Sequence, residues 1–181
     1  MLTAFQRRKL TRYFNVLDAD GNGYFEIEDL ERIARRFAEF HEIPLGSEEH
    51  RGILESLGQI WDHGRQYGIS KDPNKISLAD WLAHEDYVLA SKEWRERYME
   101  DITLDVFDLV DTDSDGEIDI HDFTRIMRSF GVEEGIPEWS FQQMDVSGEG
   151  IITRDQFLKR VEEFHLSNDR ESPGNYLFGP Y

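Results

Sequence analysis

Three segments of this chain put oxygen-bearing side chains at alternate positions and then reach a glycine, and this spacing limits the fold more than any other feature. They are Asp18-Ala19-Asp20-Gly21-Asn22-Gly23, Asp111-Thr112-Asp113-Ser114-Asp115-Gly116 and Asp145-Val146-Ser147-Gly148-Glu149-Gly150. Counting each first aspartate as position 1, an apolar residue follows at position 8: Phe25, Ile118 and Ile152. Another stands just beyond position 12: Leu30, Phe123 and Phe157. Upstream, Phe14 and Leu17, Phe107 and Val110, and Phe141 and Met144 sit four and one residues before the loops. That interval places both on one face of an incoming helix. The repeated unit is therefore helix, twelve-residue loop, helix.

The same frame finds an eroded fourth copy. Aligning Ile76 with Phe25, Ile118 and Ile152 makes Ile69 the first residue and Asp80 the twelfth, with apolar Trp81 behind it. Ile69-Ser70-Lys71-Asp72-Pro73-Asn74-Lys75 has lost the acids and the glycine but keeps the strand-like anchor and a following helix. The expected fold is all-α: four helix-loop-helix units in two pairs forming a compact globule. Short two-stranded β contacts should join paired loops, Phe25 facing Ile76 and Ile118 facing Ile152. Helices are expected over roughly 3–17, 27–41, 47–67, 77–90, 93–110, 120–130, 138–144 and 154–165. Gly131 and Pro137 punctuate the join between the third and fourth units, and Pro44-Leu45-Gly46 breaks the chain after the first. Loop starts lie 34 residues apart in the second pair and 51 in the first, where Ile53, Leu54, Leu57, Ile60 and Trp61 keep helical spacing. These landmarks divide the chain into pairs at 1–90 and 91–165 and a tail at 166–181, whose apolar residues either fold back over the core or fray.

A hard divalent cation takes six to eight oxygens, and such a loop offers them from positions 1, 3, 5, 7, 9 and 12. Glycine at position 6 permits the sharp turn around the ion. The third loop supplies Asp111, Asp113 and Asp115 by side chain, Glu117 by its carbonyl, and Asp122 as the closing carboxylate, with Asp119 at position 9. A solvated acidic turn would not also require the odd-position spacing, the glycine, the anchor and both helices. The first loop supplies Asp18, Asp20, Asn22, the Tyr24 carbonyl and Asp29, with Glu26 at position 9. The fourth offers Asp145, Ser147, Glu149 and the Ile151 carbonyl, but Gln156 replaces the closing carboxylate, so a weak site and a structural relic both remain open. The second, with Lys71 and Pro73 at ligand positions, is expected to bind nothing. Aspartate at position 12 is one methylene shorter than glutamate and tends to engage through one oxygen. That suits six ligands in a tight shell, so calcium binding with tolerance of magnesium is expected.

The remaining composition excludes more than it selects. The formal net charge is −18, which disfavours nucleic acid and anionic membranes. Absence of cysteine removes disulfides, thiolate metal sites and cysteine nucleophiles. No window approaches a membrane span, and Met1-Leu2-Thr3-Ala4-Phe5 shows neither a signal-peptide core nor a myristoylation glycine, so a cytoplasmic monomer is expected. There is no phosphate loop, nucleophile motif or zinc-spaced histidine pair, so no enzyme is expected.

These residues resemble the EF-hand superfamily, and the four-unit layout, the degenerate second hand and Asp18-Ala19-Asp20-Gly21-Asn22-Gly23 resemble its sarcoplasmic calcium-binding protein and calerythrin-like group. The resemblance covers roughly residues 5 to 165 and implies two hand pairs sharing an aromatic core and acting as a calcium buffer. A sensor exposing an apolar groove to a target protein is the alternative. The scattered Met99, Met127 and Met144 and the prevalence of Phe14, Phe37, Phe40, Trp61, Trp81, Phe107, Phe123, Phe130, Trp139 and Phe164 favour a closed core. A minor alternative is a photoprotein-like or small-ligand-holding member, with His63, His84 and His165 lining a cavity. The altered fourth loop and Tyr181 after Pro180 depart from that group.

Overall fold

A computed structural model describes the chain except residues 67–69, 71, 73 and 112 and the side chains of 59, 60, 63–66, 93, 94, 98, 101, 102, 104 and 105. Ile69, Lys71 and Pro73 of the degenerate loop, and the side chains of Ile60 and His63, lie outside the described residues.

The N-terminal half runs α1 (Ala4–Leu17), β1 (Tyr24–Glu26), α2 (Ile27–Phe40), α3 (Glu48–Gln66), β2 (Lys75–Ser77) and α4 (Leu78–Ala90). The C-terminal half runs α5 (Lys92–Val110), β3 (Glu117–Asp119), α6 (Ile120–Ser129), α7 (Ile136–Met144), β4 (Ile151–Thr153) and α8 (Arg154–Leu166), followed by a 3-10 turn at Pro173–Tyr176. β1 pairs antiparallel with β2 and β3 with β4, in the expected register of Phe25 opposite Ile76 and Ile118 opposite Ile152. All four anchors are buried, and Phe25 finds room for its ring edge-on to Trp61 at 5.2 Å.

The helices start where the loops end for a local reason. In each unit, the residue at loop position 9 caps the outgoing helix and the residue at position 12 answers it from the first turn. The pairs are Glu26 with Asp29, Ser77 with Asp80, Asp119 with Asp122, and Thr153 with Gln156. Each satisfies backbone N–H groups that a helix start leaves without intrahelical partners. Several expected boundaries shift by one residue, and the start of α7 by two. α7 begins at Ile136 and takes Pro137 into its first turn, where the missing N–H is no loss.

The halves share one core. α2 packs on α3 and also across on α6, and α5 contacts α3, α4, α6 and α8. Phe14, Phe107, Phe123, Phe157 and Phe164 are fully buried in it, whereas Phe40 and Trp139, expected inside, are 54% and 39% exposed. Met99, Met127 and Met144 are buried, dispersed among α5, α6 and α7. Among the described residues no helix is long and apolar enough to cross a membrane.

The tail folds back. Leu177 and Phe178 are buried, with Phe178 stacked on Tyr13 at 4.0 Å and edge-on to Phe164 at 5.1 Å. Its anchor is Lys9, a fully buried lysine whose Nζ donates to the Glu163 and Ser167 carbonyls and to Asn175 Oδ1, at 3.2, 3.0 and 2.8 Å. Arg12 Nε donates to the Phe178 carbonyl at 2.8 Å, tying α1 to the last turn of chain.

Beside this anchor His165 is buried with its Nδ1 2.8 Å from the Val161 carbonyl, and burial pushes its pKa down to about 4. The unfolded imidazole takes a proton near 6.5 and the folded one only near 4, so stability falls as pH drops from 6.5 towards 4. Urea unfolding in a chelator is expected to show this loss, at most about 3 kcal/mol from the size of the shift. His165→Phe should shed about one proton's uptake on unfolding near pH 5.5. An unchanged pH slope in the variant would place the acid sensitivity elsewhere.

Candidate metal centre

Each loop is held open by its own backbone before any ion is considered. In the first, Asp18 accepts from the Asn22 and Gly23 N–H groups at 3.0 and 2.8 Å, and Asn22 Oδ1 accepts from Tyr24 N–H at 2.9 Å. In the third, Asp111 accepts from Asp115 and Gly116 N–H at 3.1 and 3.0 Å, and Asp115 Oδ1 from Glu117 N–H at 2.9 Å. In the fourth, Asp145 accepts from Gly148 and Gly150 N–H at 2.9 and 2.8 Å. The position-1 aspartate thus always receives the N–H of the position-6 glycine, a bond that needs the chain to turn back sharply. Gly23 and Gly116 do so at φ of 88° and 86°, where a side chain would be strained.

These turns bring carboxylates together. Asp18, Asp20 and Asp29 each offer an oxygen within 4.8 Å of the others, and so do Asp111, Asp113 and Asp115. Such clusters repel themselves in low dielectric, and at Asp29 this repulsion adds to the larger effect of burial. Burial chiefly raises its pKa, Asp20 and Asp18 add to the rise, and N–H groups from Glu26 and the Asp20 side of the loop oppose it. Asp119 shows the opposite balance. Its partial burial is outweighed by N–H bonds from Asp122 and His121, and its pKa is lowered.

The closing residues carry two duties. Asp29 Oδ2 accepts from Glu26 N–H at 2.9 Å, and Asp122 Oδ2 from Asp119 N–H at 3.3 Å. One oxygen of each is thereby committed to the helix cap, and in Asp29 the other accepts Ala19 N–H at 3.1 Å, so both oxygens of Asp29 are tied to backbone. Asp29 belongs to the convergent trio of its loop, whereas Asp122 stands outside the trio of the third loop. Gln156 Oε1 accepts from Thr153 N–H at 2.8 Å, so the fourth loop keeps the cap while losing the charge. Tyr24, Glu117 and Ile151, expected to bind through their carbonyls, are the first residues of their strands. Glu26 in the first loop turns towards Asn22, whose Nδ2 donates to its Oε2 at 3.1 Å.

Arg32 lies beyond position 12, outside the ligand pattern, yet it reaches the first loop. Its guanidinium lies 3.1 Å from Asp20 Oδ2 and 3.6 Å from Asp29 Oδ1. A signal was available, because Arg32, Arg125 and Lys159 share one offset in the first, third and fourth units, where the second has Ala83.

The donor set suits a hard divalent ion: carboxylate, amide and carbonyl oxygens, in a chain without cysteine. A family model described as EF hand matches residues 105–127, which span the third loop and the ends of both helices around it. Calerythrin of Saccharopolyspora erythraea is 25% identical over 168 residues, 92% of this chain and 95% of that protein. The third unit matches the EF-hand model, and nearly the whole chain is similar to calerythrin. Its likeness runs to the sarcoplasmic calcium-binding protein and calerythrin-like group, a calcium-binding family. Two solved structures share this EF-hand fold. A calcium-loaded apo coelenterazine-binding protein from Renilla muelleri matches with TM-score 0.77 at 23% identity, over 99% of this chain and 100% of that one. A sarcoplasmic calcium-binding protein from amphioxus matches with TM-score 0.69 at 19% identity, over all of both chains.

Proposed function

We propose that this EF-hand protein is an intracellular buffer for calcium and magnesium, using its first and third loops. The observation that carries the reading is the double duty of Asp29 and Asp122. With Oδ2 held by a backbone N–H, each short closing carboxylate would meet an ion through a single oxygen, in Asp29 by giving up the Ala19 N–H, which favours six-fold coordination over the seven-fold shell of a bidentate closing group. Asp18, Asp20, Asn22 and the Tyr24 carbonyl would complete the first site. Asp111, Asp113, Asp115 and the Glu117 carbonyl would complete the third, with Asp119 reaching the ion directly or through water. The fourth loop, through Asp145, Ser147, Glu149 and Ile151, would be a weak site at most.

A buffer rather than a sensor is supported by the core. A sensor needs two halves able to open onto a groove, whereas here α2 is packed across on α6 and the methionines are dispersed and buried. Ligand storage of the kind named for the coelenterazine-binding relative receives less support. Among the described residues, the enclosed apolar cavity beneath the tail, between Tyr13, Phe123, Phe157 and Phe178, is about 30 Å³, against the several hundred Å³ of small-molecule pockets. The cleft of about 510 Å³ is an open one that carries Glu49, Asp108, Asp111, Asp113 and Arg125. His84 and His165 line neither.

Calorimetric titration of the metal-free protein with calcium is expected to give two ions per chain, both weakened by millimolar magnesium. Binding of 8-anilinonaphthalene-1-sulfonate should stay nearly flat on calcium addition. Absence of magnesium competition at both sites would remove the buffer reading, and a large dye response would install the sensor in its place.

A further inference from the structure

The strongest unassigned feature of the described residues is the cation that the chain itself brings to the first loop. In Asp20, Oδ1 accepts Asn22 N–H at 3.1 Å, and Oδ2, which the loop backbone leaves free, lies 3.1 Å from Arg32 Nη2. In Asp29, Oδ2 is committed to Glu26 N–H, and Oδ1, the oxygen turned towards the loop, accepts Ala19 N–H at 3.1 Å and lies 3.6 Å from Arg32 Nη1. The guanidinium fork therefore spans positions 3 and 12 and occupies the oxygens that an ion in this loop would need. Asp29 is 1% exposed at its side chain, so its charge gains more from a nearby cation than an open surface carboxylate would.

The third loop has an arginine at the same offset and uses it differently. Arg125 lines a cleft that also reaches Asp111 and Asp113, yet among the described residues it forms no ion pair with the carboxylates of that loop. Its charge acts instead on His41, whose pKa is lowered first by burial and then by Arg125. Two homologous loops with an arginine at the same offset thus differ in whether the cation sits on the position-3 and position-12 carboxylates.

We infer that Arg32 is a tethered counter-ion of the first loop, competing with the metal for Asp20 and Asp29 and holding that loop below the third in affinity. This rests on the reading of the first loop as a metal site. Metal entry breaks both Arg32 contacts, and the guanidinium swings into solvent, which its 42% exposure allows. When the ion leaves, the arginine returns and screens the repulsion among Asp18, Asp20 and Asp29. The metal-free loop is stabilised and the metal-bound loop is not, so the arginine is a specificity-determining residue of the site without being a ligand.

The test is a calcium titration of the full chain, wild type against R32Q, R32K and R125Q. The backbone amide resonances of Gly23 and Gly116 report the first and third loops separately. R32Q should tighten binding seen at Gly23 by about three- to tenfold, the range of a displaced pair of partly exposed ion contacts. R32K, which keeps the charge without the fork, should fall between R32Q and wild type, and R125Q should leave Gly116 within about twofold. In metal-free wild type, the Arg32 side-chain N–H resonance should shift in step with Gly23 as calcium is added. Unchanged or weaker binding at Gly23 in R32Q, with far-UV circular dichroism intact, overturns the counter-ion and leaves the site standing. A Gly23 resonance that calcium never moves in either protein overturns the site reading itself.

Discussion

Replacing Asp111 by asparagine is expected to remove the ion from the third loop and halve the calcium stoichiometry from two to one. Asp111 is 6% exposed, and its carboxylate is the member of the trio through which the turn is organised. Asparagine keeps one acceptor but sets an amide N–H₂ against either Asp115 or Gly116 N–H, so it loses a loop contact together with a unit of charge. Ligand charge count sets affinity over decades in loops of this kind, and the expected loss is about a hundredfold or more. Helix content should survive, because the cap formed by Asp119 and Asp122 is independent of Asp111. Calorimetry beside far-UV circular dichroism separates the two effects. Two ions bound with wild-type affinity would show that the third loop is not the site proposed here.

Phe178→Ala is expected to be the most destabilising single change in the tail, by about 3–4 kcal/mol, from lost burial plus the cavity left behind. The ring stacks on Tyr13 and meets Phe164, and its removal would enlarge a cavity that already lies beneath it. For a chain of this size the melting temperature should fall by about 10 °C. Urea unfolding in a chelator is the direct measurement, since metal binding would mask part of the loss. A change below about 1 kcal/mol would mean that the tail lies on the core without stabilising it.

Most of the architecture was legible because the loops form a fixed grid. Once Phe25, Ile76, Ile118 and Ile152 share position 8, the strand register follows, and helix starts follow from position 9. What escaped depended on contacts between residues far apart in sequence. Tail docking turns on Lys9, which shares the buried face of α1 with Phe5 and Tyr13 but which its charge would assign to solvent; it is buried against the Asn175 side chain 166 residues away. Phe40 and Trp139 looked like core by residue type and lie at the surface. Pro137 was read as a break, although the first turn of a helix accepts it. At the site, the trio Asp111, Asp113 and Asp115 was readable from spacing alone. The division of Asp29 between helix and loop was not, because one-letter spacing does not say which oxygen faces which N–H.

The pairing of position 9 with position 12 in every unit separates folding from metal count. Thr153 and Gln156 start α8 without a closing charge, and Ser77 and Asp80 start α4 behind a loop that has lost its acids. Neither unit depends on an ion to know where its helix begins. Copies in such a chain are therefore free to drift individually during descent, gaining or shedding an ion by one or two substitutions while the neighbouring copy carries on unchanged. Charge capacity is thereby a variable superimposed on a constant scaffold, set loop by loop by side chains that the helix starts do not need.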